Sequence, residues 1–213
     1  MLLRGKMKKL EEFNLKEIKG IIHYESNNFI VCSHGLYSNR DSRKYLELVE
    51  LAKNEGISCV RFDFRGCGKS KGNFSYNLEE RYKDLKNVIS YVEKKFKNAS
   101  FSLFGSSFGG MVSIVYAARN NVTSIAILST PAKIELEGKK IDIQPYIKNC
   151  SNVLIIHGKK DELVESKNAY TIYREAKEPK KLILLNADHS FSQEEERMKA
   201  LEEVIKWIKR YLH

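Results

Sequence analysis

"LFGSSFGG", residues 103–110, is the stretch on which the fold turns. The apolar run "ASFSLFG" (99–105) leads into it with strand character, and "MVSIVYAARN" (111–120) leads away, apolar nearly all round like a buried helix. The stretch is therefore a strand-to-helix turn crowded with glycine. It is either a flexible turn or a tight elbow that pushes one hydroxyl outward. The pattern Gly-x-Ser-x-Gly fits one frame only, Gly105-Ser106-Ser107-Phe108-Gly109. That frame makes Ser107 the candidate nucleophile and Ser106 a small spacer. A strained turn leaves no room for a Cβ two residues before or after its centre, which accounts for the glycines. The following helix points its N-terminus at the serine, which suits a developing anion.

Outward from this point, strand and helix signals alternate. "FIVCSHG" (29–35), "SCVRFDF" (58–64), "VTSIAILST" (122–130), "SNVLIIHG" (151–158) and "KKLILLNA" (180–187) are continuous apolar runs, as buried strands are. Between them, helical spacing appears over 41–54, with Gly56 in the stop position, over Leu78 to Phe96, and near Ser166 to Ala176. A last helix is expected from Ser192, with Glu195 completing a capping box, to about Leu212. Residues 8–25 read as a starting hairpin with Gly20 at its break. The alternation predicts a mostly parallel central sheet with helices on both faces. It predicts one domain over 1–213, with 1–17 as an N-terminal extension and first strand. Sites in such sheets lie beyond the carboxyl ends of the strands, so each loop after a strand matters.

Those loops supply partners for a serine, which needs a base and an orienting acid. His189 in "NADHSF" follows the last strand. Asp161 in "HGKKDELVE" follows the strand before it, with Glu162 and Glu165 as fallback acids. Asp188 adjoins His189 and cannot easily turn back to its ring, and Asp63 belongs to another loop, whose turn it holds. His34 and His157 each close a strand in a His-Gly pair and are expected to satisfy loop backbone; His23 and His213 are poorly placed. One oxyanion donor is expected from the N–H of Phe108. The other is expected from the loop "SHGLYSN", with Leu36 first and Tyr37 second.

Composition bounds the rest. The chain has 213 residues and a net charge of +10, but its lysines are mixed with glutamates and form no basic stripe. A solvated lysine-rich surface is expected rather than a nucleic-acid partner, with some leaning toward anionic substrates. Cys32, Cys59, Cys67 and Cys150 have no Cys-x-x-Cys spacing, so free thiols in a reducing cytoplasm are expected. Met1 to Leu10 reads as no signal peptide, with Met7 as an alternative start, and no apolar run approaches a membrane span.

With "HGLYSN", "FDFRGCGKS", "GSSFGG", "HGKKDELVE" and "ADHSF" in this order, the chain resembles the α/β-hydrolase family over roughly 18–213. It is most similar to small esterases of the cinnamoyl-esterase and serine-aminopeptidase-like groups. The resemblance implies an α/β-hydrolase fold, a triad of Ser107, Asp161 and His189, and an oxyanion hole from Leu36 and Phe108. Two departures stand out. Val164 is followed by Glu165 where the family often has proline. And only Pro131 to Cys150 fills the place of a sizeable cap, with "KIELEGKKIDIQ" reading as a short hairpin around 133–144. Tyr37, Ile134, Leu136, Ile141, Ile143 and Tyr146 are then the candidate pocket residues. The expected activity is hydrolysis of a small-molecule carboxylic ester by a cytoplasmic monomer or homodimer, without cofactor, metal, nucleic acid or membrane. Thioester or peptide hydrolysis, and a non-catalytic binding role on the same scaffold, are the rivals.

Overall fold

The computed structural model describes residues 9–212. Met7, His213 and nearly all of the segment read as lacking a signal peptide lie outside the described residues.

Strands β1 (Leu10–Leu15) and β2 (Ile18–His23) pair antiparallel, with Leu15 opposite Ile18. The break falls at Lys16 and Glu17, not at Gly20. Lys16 takes the positive φ of 56° that the tight turn requires. Gly20 lies inside β2 opposite Phe13, where a Cβ would overlap the Phe13 ring. The glycine thus lets an aromatic ring lie across the ladder.

β2 pairs antiparallel with β4 (Ser58–Asp63). Parallel pairing then runs through β3 (Asn28–Ser33), β5 (Ser100–Ser106), β6 (Ser124–Leu128), β9 (Val153–Gly158) and β10 (Lys180–Leu185). The eight-stranded order is β1-β2-β4-β3-β5-β6-β9-β10. The inner strands are buried on both faces, which is why they read as continuous apolar runs.

Side chains alternate between two cores, as a period of two demands. Ile30, Cys32, Leu154 and Ile156 join α1 (Arg43–Asn54) and α6 (Glu194–Lys209) on one face. Phe29, Val31, Val153 and Ile155 join α2 (Leu78–Lys95), α3 (Phe108–Arg119) and α5 (Lys167–Glu175) on the other. Buried Arg197 of α6 clamps α1 through Glu47, with Nε and Nη2 at 2.6 and 2.9 Å from the two carboxylate oxygens. All four cysteines are buried and free. Among the described residues no helix is long and apolar enough to cross a membrane.

The segment in place of a cap is small. β7 (Lys133–Leu136) and β8 (Lys139–Asp142) form the expected hairpin, turning at Glu137 and Gly138 with φ of 50° and 73°. A single helical turn that the sequence reading missed, α4 (Gln144–Ile147), follows it. The last helix departs from expectation. It begins at Glu194, and no side chain caps it. The carboxylate of Asp188 takes both the N–H and the hydroxyl of Ser192, so Ser192 closes the loop around His189 instead of forming a capping box with Glu195.

The end of α1 does match its sequence signal. The N–H of Gly56 donates to Lys53 O and that of Ile57 to Ala52 O, with Gly56 at φ 66° and open space where a Cβ would point. Gly56→Ala should therefore fit sterically yet lower stability by about 1 kcal/mol, the left-handed penalty alone. Denaturant unfolding checks this; an unchanged midpoint would mean the left-handed cap contributes nothing.

Candidate active site

Ser107 sits between β5 and α3 with φ 55° and ψ −123°, a conformation that disfavours any Cβ. The surrounding backbone imposes it. A Cβ on Gly105 would stand 2.5 Å from Gly109 O, and one on Gly109 would overlap Ser33 O of β3. The Ser107 N–H is taken by Leu128 O at 2.8 Å, which ties the turn to β6. Ser106, next to it, is 4% exposed, and its Oγ accepts from Lys44 Nζ of α1 at 3.1 Å. Burial pushes that amine down to about 8. The two adjacent serines therefore face different surroundings: Ser106 is occupied by α1, and Ser107 meets His189.

His189, on the loop after β10, places Nε2 3.1 Å from Ser107 Oγ. Its Nδ1 lies 2.8 and 3.0 Å from the two oxygens of Asp161, on the loop after β9. A hydrogen on Nδ1 serves that carboxylate and leaves the Nε2 lone pair toward the serine hydroxyl. Asp161 also accepts from the N–H groups of Leu163 (3.1 Å) and Val164 (2.8 Å). Burial alone would raise its pKa. The hydrogen bonds from His157, His189 and Val164 outweigh that and hold the carboxyl well below the usual carboxylate range. The structure thus brings together Ser107, His189 and Asp161 from three separate strand-end loops.

The other candidates are engaged elsewhere. His34 spends both ring nitrogens on backbone, with Nδ1 at 2.7 Å from Gly35 O and Nε2 accepting from Phe64 N–H at 3.1 Å. Burial holds it down to about 4. His157 bonds Val164 O and is held at the back of the site, 3.3 Å from Asp161 Oδ2 and away from Ser107. Asp63 accepts from the N–H groups of Arg40 and Lys69 and so holds its own turn. Glu162 and Glu165 are exposed, and Glu165 pairs with Lys167.

Phe108 is the first residue of α3, so its N–H has no carbonyl four residues back within the helix. Gly35 lies against Ser107: a Cβ there would be 3.2 Å from Ser107 Cβ and 3.7 Å from its Oγ. The Gly35–Leu36 backbone therefore runs beside the hydroxyl. Tyr37 is exposed and turns away to stack on Phe74 with ring centroids 5.2 Å apart.

A cavity of about 890 Å³ lies between the β7–β8 hairpin, the segment leading into α2, and α3. Of the candidate pocket residues, Leu136, Ile141 and Tyr146 line it. Ile143 does not: it is fully buried and belongs to the core beneath. Ile134, which shares a strand face with Leu136 and pairs with Ile141, is not among the lining residues, and neither is Tyr37. The sequence reading missed Phe74, Tyr76, Leu78 and Val115. The signal was there in "GNFSYN", two aromatic residues in a strand-end loop, which had been read only for Asp63. Val115 stands seven residues after Phe108, so the cavity opens about 10 Å along α3 from the elbow. Among the described residues no cluster of three or more His, Cys, Asp or Glu side chains forms a metal centre.

The family model described as "Serine aminopeptidase, S33" matches residues 24–152, which include the Gly35–Leu36 loop and the elbow. A second, described as an uncharacterised protein family (UPF0227), matches 128–206, which include Asp161 and His189. The uncharacterized protein YfhR of Escherichia coli O157:H7 is 28% identical over 174 residues. That alignment covers 73% of this chain and 60% of YfhR, so the chain spans less than two thirds of that relative. A lidless α/β serine hydrolase from Xanthomonas campestris matches with a TM-score of 0.80 at 19% identity, covering 96% of this chain and 95% of the other. An esterase from Pyrococcus furiosus matches with a TM-score of 0.84 at 20% identity, covering 96% and 91%. At such identities the two structures establish the fold, and the family model establishes the kinship. The chain belongs to the serine aminopeptidase S33 family and has the fold of the α/β serine hydrolases.

Proposed function

We propose that this protein is a serine esterase that cleaves small carboxylic esters through an acyl-enzyme. The observation that carries the reading is the continuous path from Ser107 Oγ through His189 to a buried, ionised Asp161, at the N-terminus of α3. Ser107 Oγ attacks the ester carbonyl while its proton passes to His189 Nε2. Asp161 fixes the imidazole tautomer and steadies the imidazolium. The N–H groups of Phe108 and Leu36, with the positive end of α3, hold the oxyanion. His189 returns the proton to the departing alcohol. Water, deprotonated by His189, then releases the acid and restores Ser107. The reading needs no cofactor.

The cavity supports an ester ahead of a peptide. An aminopeptidase needs an anionic trap for its substrate's amino terminus. Here Arg119, Lys139 and Lys140 line the same walls as Glu79, Glu80, Glu137 and Asp142, and Glu79 is tied to Arg119 at 2.7 Å. The aromatic members, Phe74, Tyr76 and Tyr146, favour a compact or aryl group. A hairpin of two four-residue strands walls one side of such a pocket and is too small for a mobile lid.

Ser107→Ala should abolish ester turnover and labelling by a fluorophosphonate probe. Ser106→Ala should keep most of both but lose stability, because Lys44 then loses its acceptor. The reverse result would refute the elbow assignment, and an unlabelled wild-type protein would favour a binding role.

Asp161→Asn should cut kcat by about 10³- to 10⁴-fold. Because Asp161 is held below the usual carboxylate range, it stays ionised as pH falls through the weakly acidic region. Protonation of Asp161 should therefore add no step of its own to the acid limb of the rate profile. A near wild-type rate in Asp161→Asn, with a large loss in Glu162→Gln or Glu165→Gln, would move the acid.

Across p-nitrophenyl esters from C2 to C16, kcat/KM should peak at C2 to C6 or on compact aromatic acyl groups. It should show no jump at micelle formation. A peak at C12 or beyond, or on a thioester in a parallel assay, would reassign the substrate.

A further inference from the structure

The carboxylate of Asp161 meets two imidazoles. One is that of His189. The other belongs to His157, the penultimate residue of β9, whose side chain is wholly buried. Its Nε2 lies 2.7 Å from Val164 O and 3.3 Å from Asp161 Oδ2, the same oxygen that receives His189 Nδ1 at 2.8 Å. Both partners of Nε2 are acceptors, so the hydrogen sits on Nε2 and is shared between them. Nδ1 is buried and has no hydrogen-bond partner among the described residues.

That orphan lone pair is informative. Burying a ring nitrogen without a partner is unfavourable, and a phenyl or aliphatic side chain would fill similar space without that cost. What the imidazole adds is a single N–H, aimed at the acid and at the turn that carries it. Among the described residues no lysine or arginine side chain pairs with Asp161. From β9 it faces His157, from the loop after β10 it faces His189, and from its own turn it meets only the N–H groups of Leu163 and Val164. Lys159, Lys160, Glu162 and Glu165 of that turn are exposed.

We propose that His157 is a positioning residue of the hydrolytic site: its Nε2–H fixes the Asp161 carboxylate and competes with His189 for Oδ2, which moderates the pull of the acid on the base. The inference rests on the roles given above to Asp161 and His189. It explains why a histidine rather than an apolar residue closes β9. It also gives the buried carboxylate a further donor beside His189 and the two backbone N–H groups.

The competition fixes the sign of the effect. Without the His157 N–H, Oδ2 is left to His189 alone, the imidazolium is held more tightly, and the acid limb of kcat/KM moves to higher pH. If His157 merely packed, its loss would loosen Asp161, the imidazolium would lose its partner, and the limb would move to lower pH.

The test uses His157→Phe and His157→Gln in the full chain, with the pH profile of ester hydrolysis. His157→Phe should lower kcat about tenfold with little change in KM, the scale of one hydrogen bond to a charged group. Its acid limb should rise by about half a pH unit. His157→Gln, which returns an N–H near the same place, should recover most of the rate and the original limb. A folded His157→Phe with an unchanged rate and limb, or a limb shifted downward, overturns the proposal. NMR of the unaltered protein tests the contact even if the variants do not fold. A through-hydrogen-bond coupling between Nε2 of His157 and the Asp161 carboxylate carbon supports the proposal; a hydrogen on Nδ1, or coupling to Val164 alone, overturns it. A wild-type protein that neither hydrolyses esters nor takes up fluorophosphonate refutes the hydrolase reading instead, and the NMR measurement still decides whether His157 donates to Asp161.

Discussion

The rest of the structure depends on one close approach. The end of β3, the end of β5 and the first turn of α3 meet with only glycine backbone between them, and Ser107 is forced into a left-handed turn at their junction. A residue in such a conformation costs on the order of 1–3 kcal/mol and persists only when its surroundings over-determine it. Here they do. Leu128 O holds its N–H, Ser33 O faces Gly109, and Thr130 crowds Gly110 from the end of β6. Strand order supplies these neighbours, because β5 lies between β3 and β6. The centre of the sheet therefore imposes the geometry of the elbow, and Ser107 has little freedom within it.

The second constraint is electrostatic. Asp161 has a side chain with no exposure, where an unpaired carboxylate would take up a proton. Four donors prevent that: two backbone N–H groups of its own turn and two imidazoles. None of the exposed lysines nearby is needed. The negative charge is held by backbone and imidazole N–H groups rather than by an ion pair with lysine or arginine. That leaves His189 as the group that gains most from it when protonated. A buried carboxylate matched by a permanent cation would instead have its charge spent before any proton moved.

Legibility in the sequence followed the range of the interactions. The inner strands were readable because burial on both faces leaves continuous apolar runs, and the elbow because crowding leaves only glycine. Ser107, Asp161 and His189 could be picked out because each ends a readable strand. Local signals failed where a distant or competing partner won. Ser192 looked like a helix cap, but Asp188, four residues back, takes its hydroxyl. Gly20 looked like a turn, but the Phe13 ring across the ladder needs the space. Ile143 looked like a pocket residue because the hairpin alternation was continued one residue too far, past the end of β8 and into the buried start of α4. The cavity itself was invisible as a unit, since it is assembled from the α2 approach, α3 and the hairpin, which are remote in sequence.

One buried arginine shows how that cavity is tied to the elbow. Arg81 of α2 is fully buried, and its guanidinium carbon lies 4.9 Å from the ring centre of Phe64, 5.1 Å from that of Phe74 and 5.8 Å from that of Phe108. Its Nε donates to Ser75 O at 2.9 Å, in the segment between the two aromatic residues of the cavity wall. Such a cation is held by ring faces and a carbonyl rather than by a carboxylate, an arrangement suited to arginine, whose guanidinium is weakly hydrated and stacks well. Phe74 continues outward to Tyr37, and Tyr37 to Tyr76 through their hydroxyls. Phe108, the first residue of α3, and Phe74, which walls the cavity, thus rest on the same guanidinium. The wall of the cavity and the first turn of α3 therefore share one buried support.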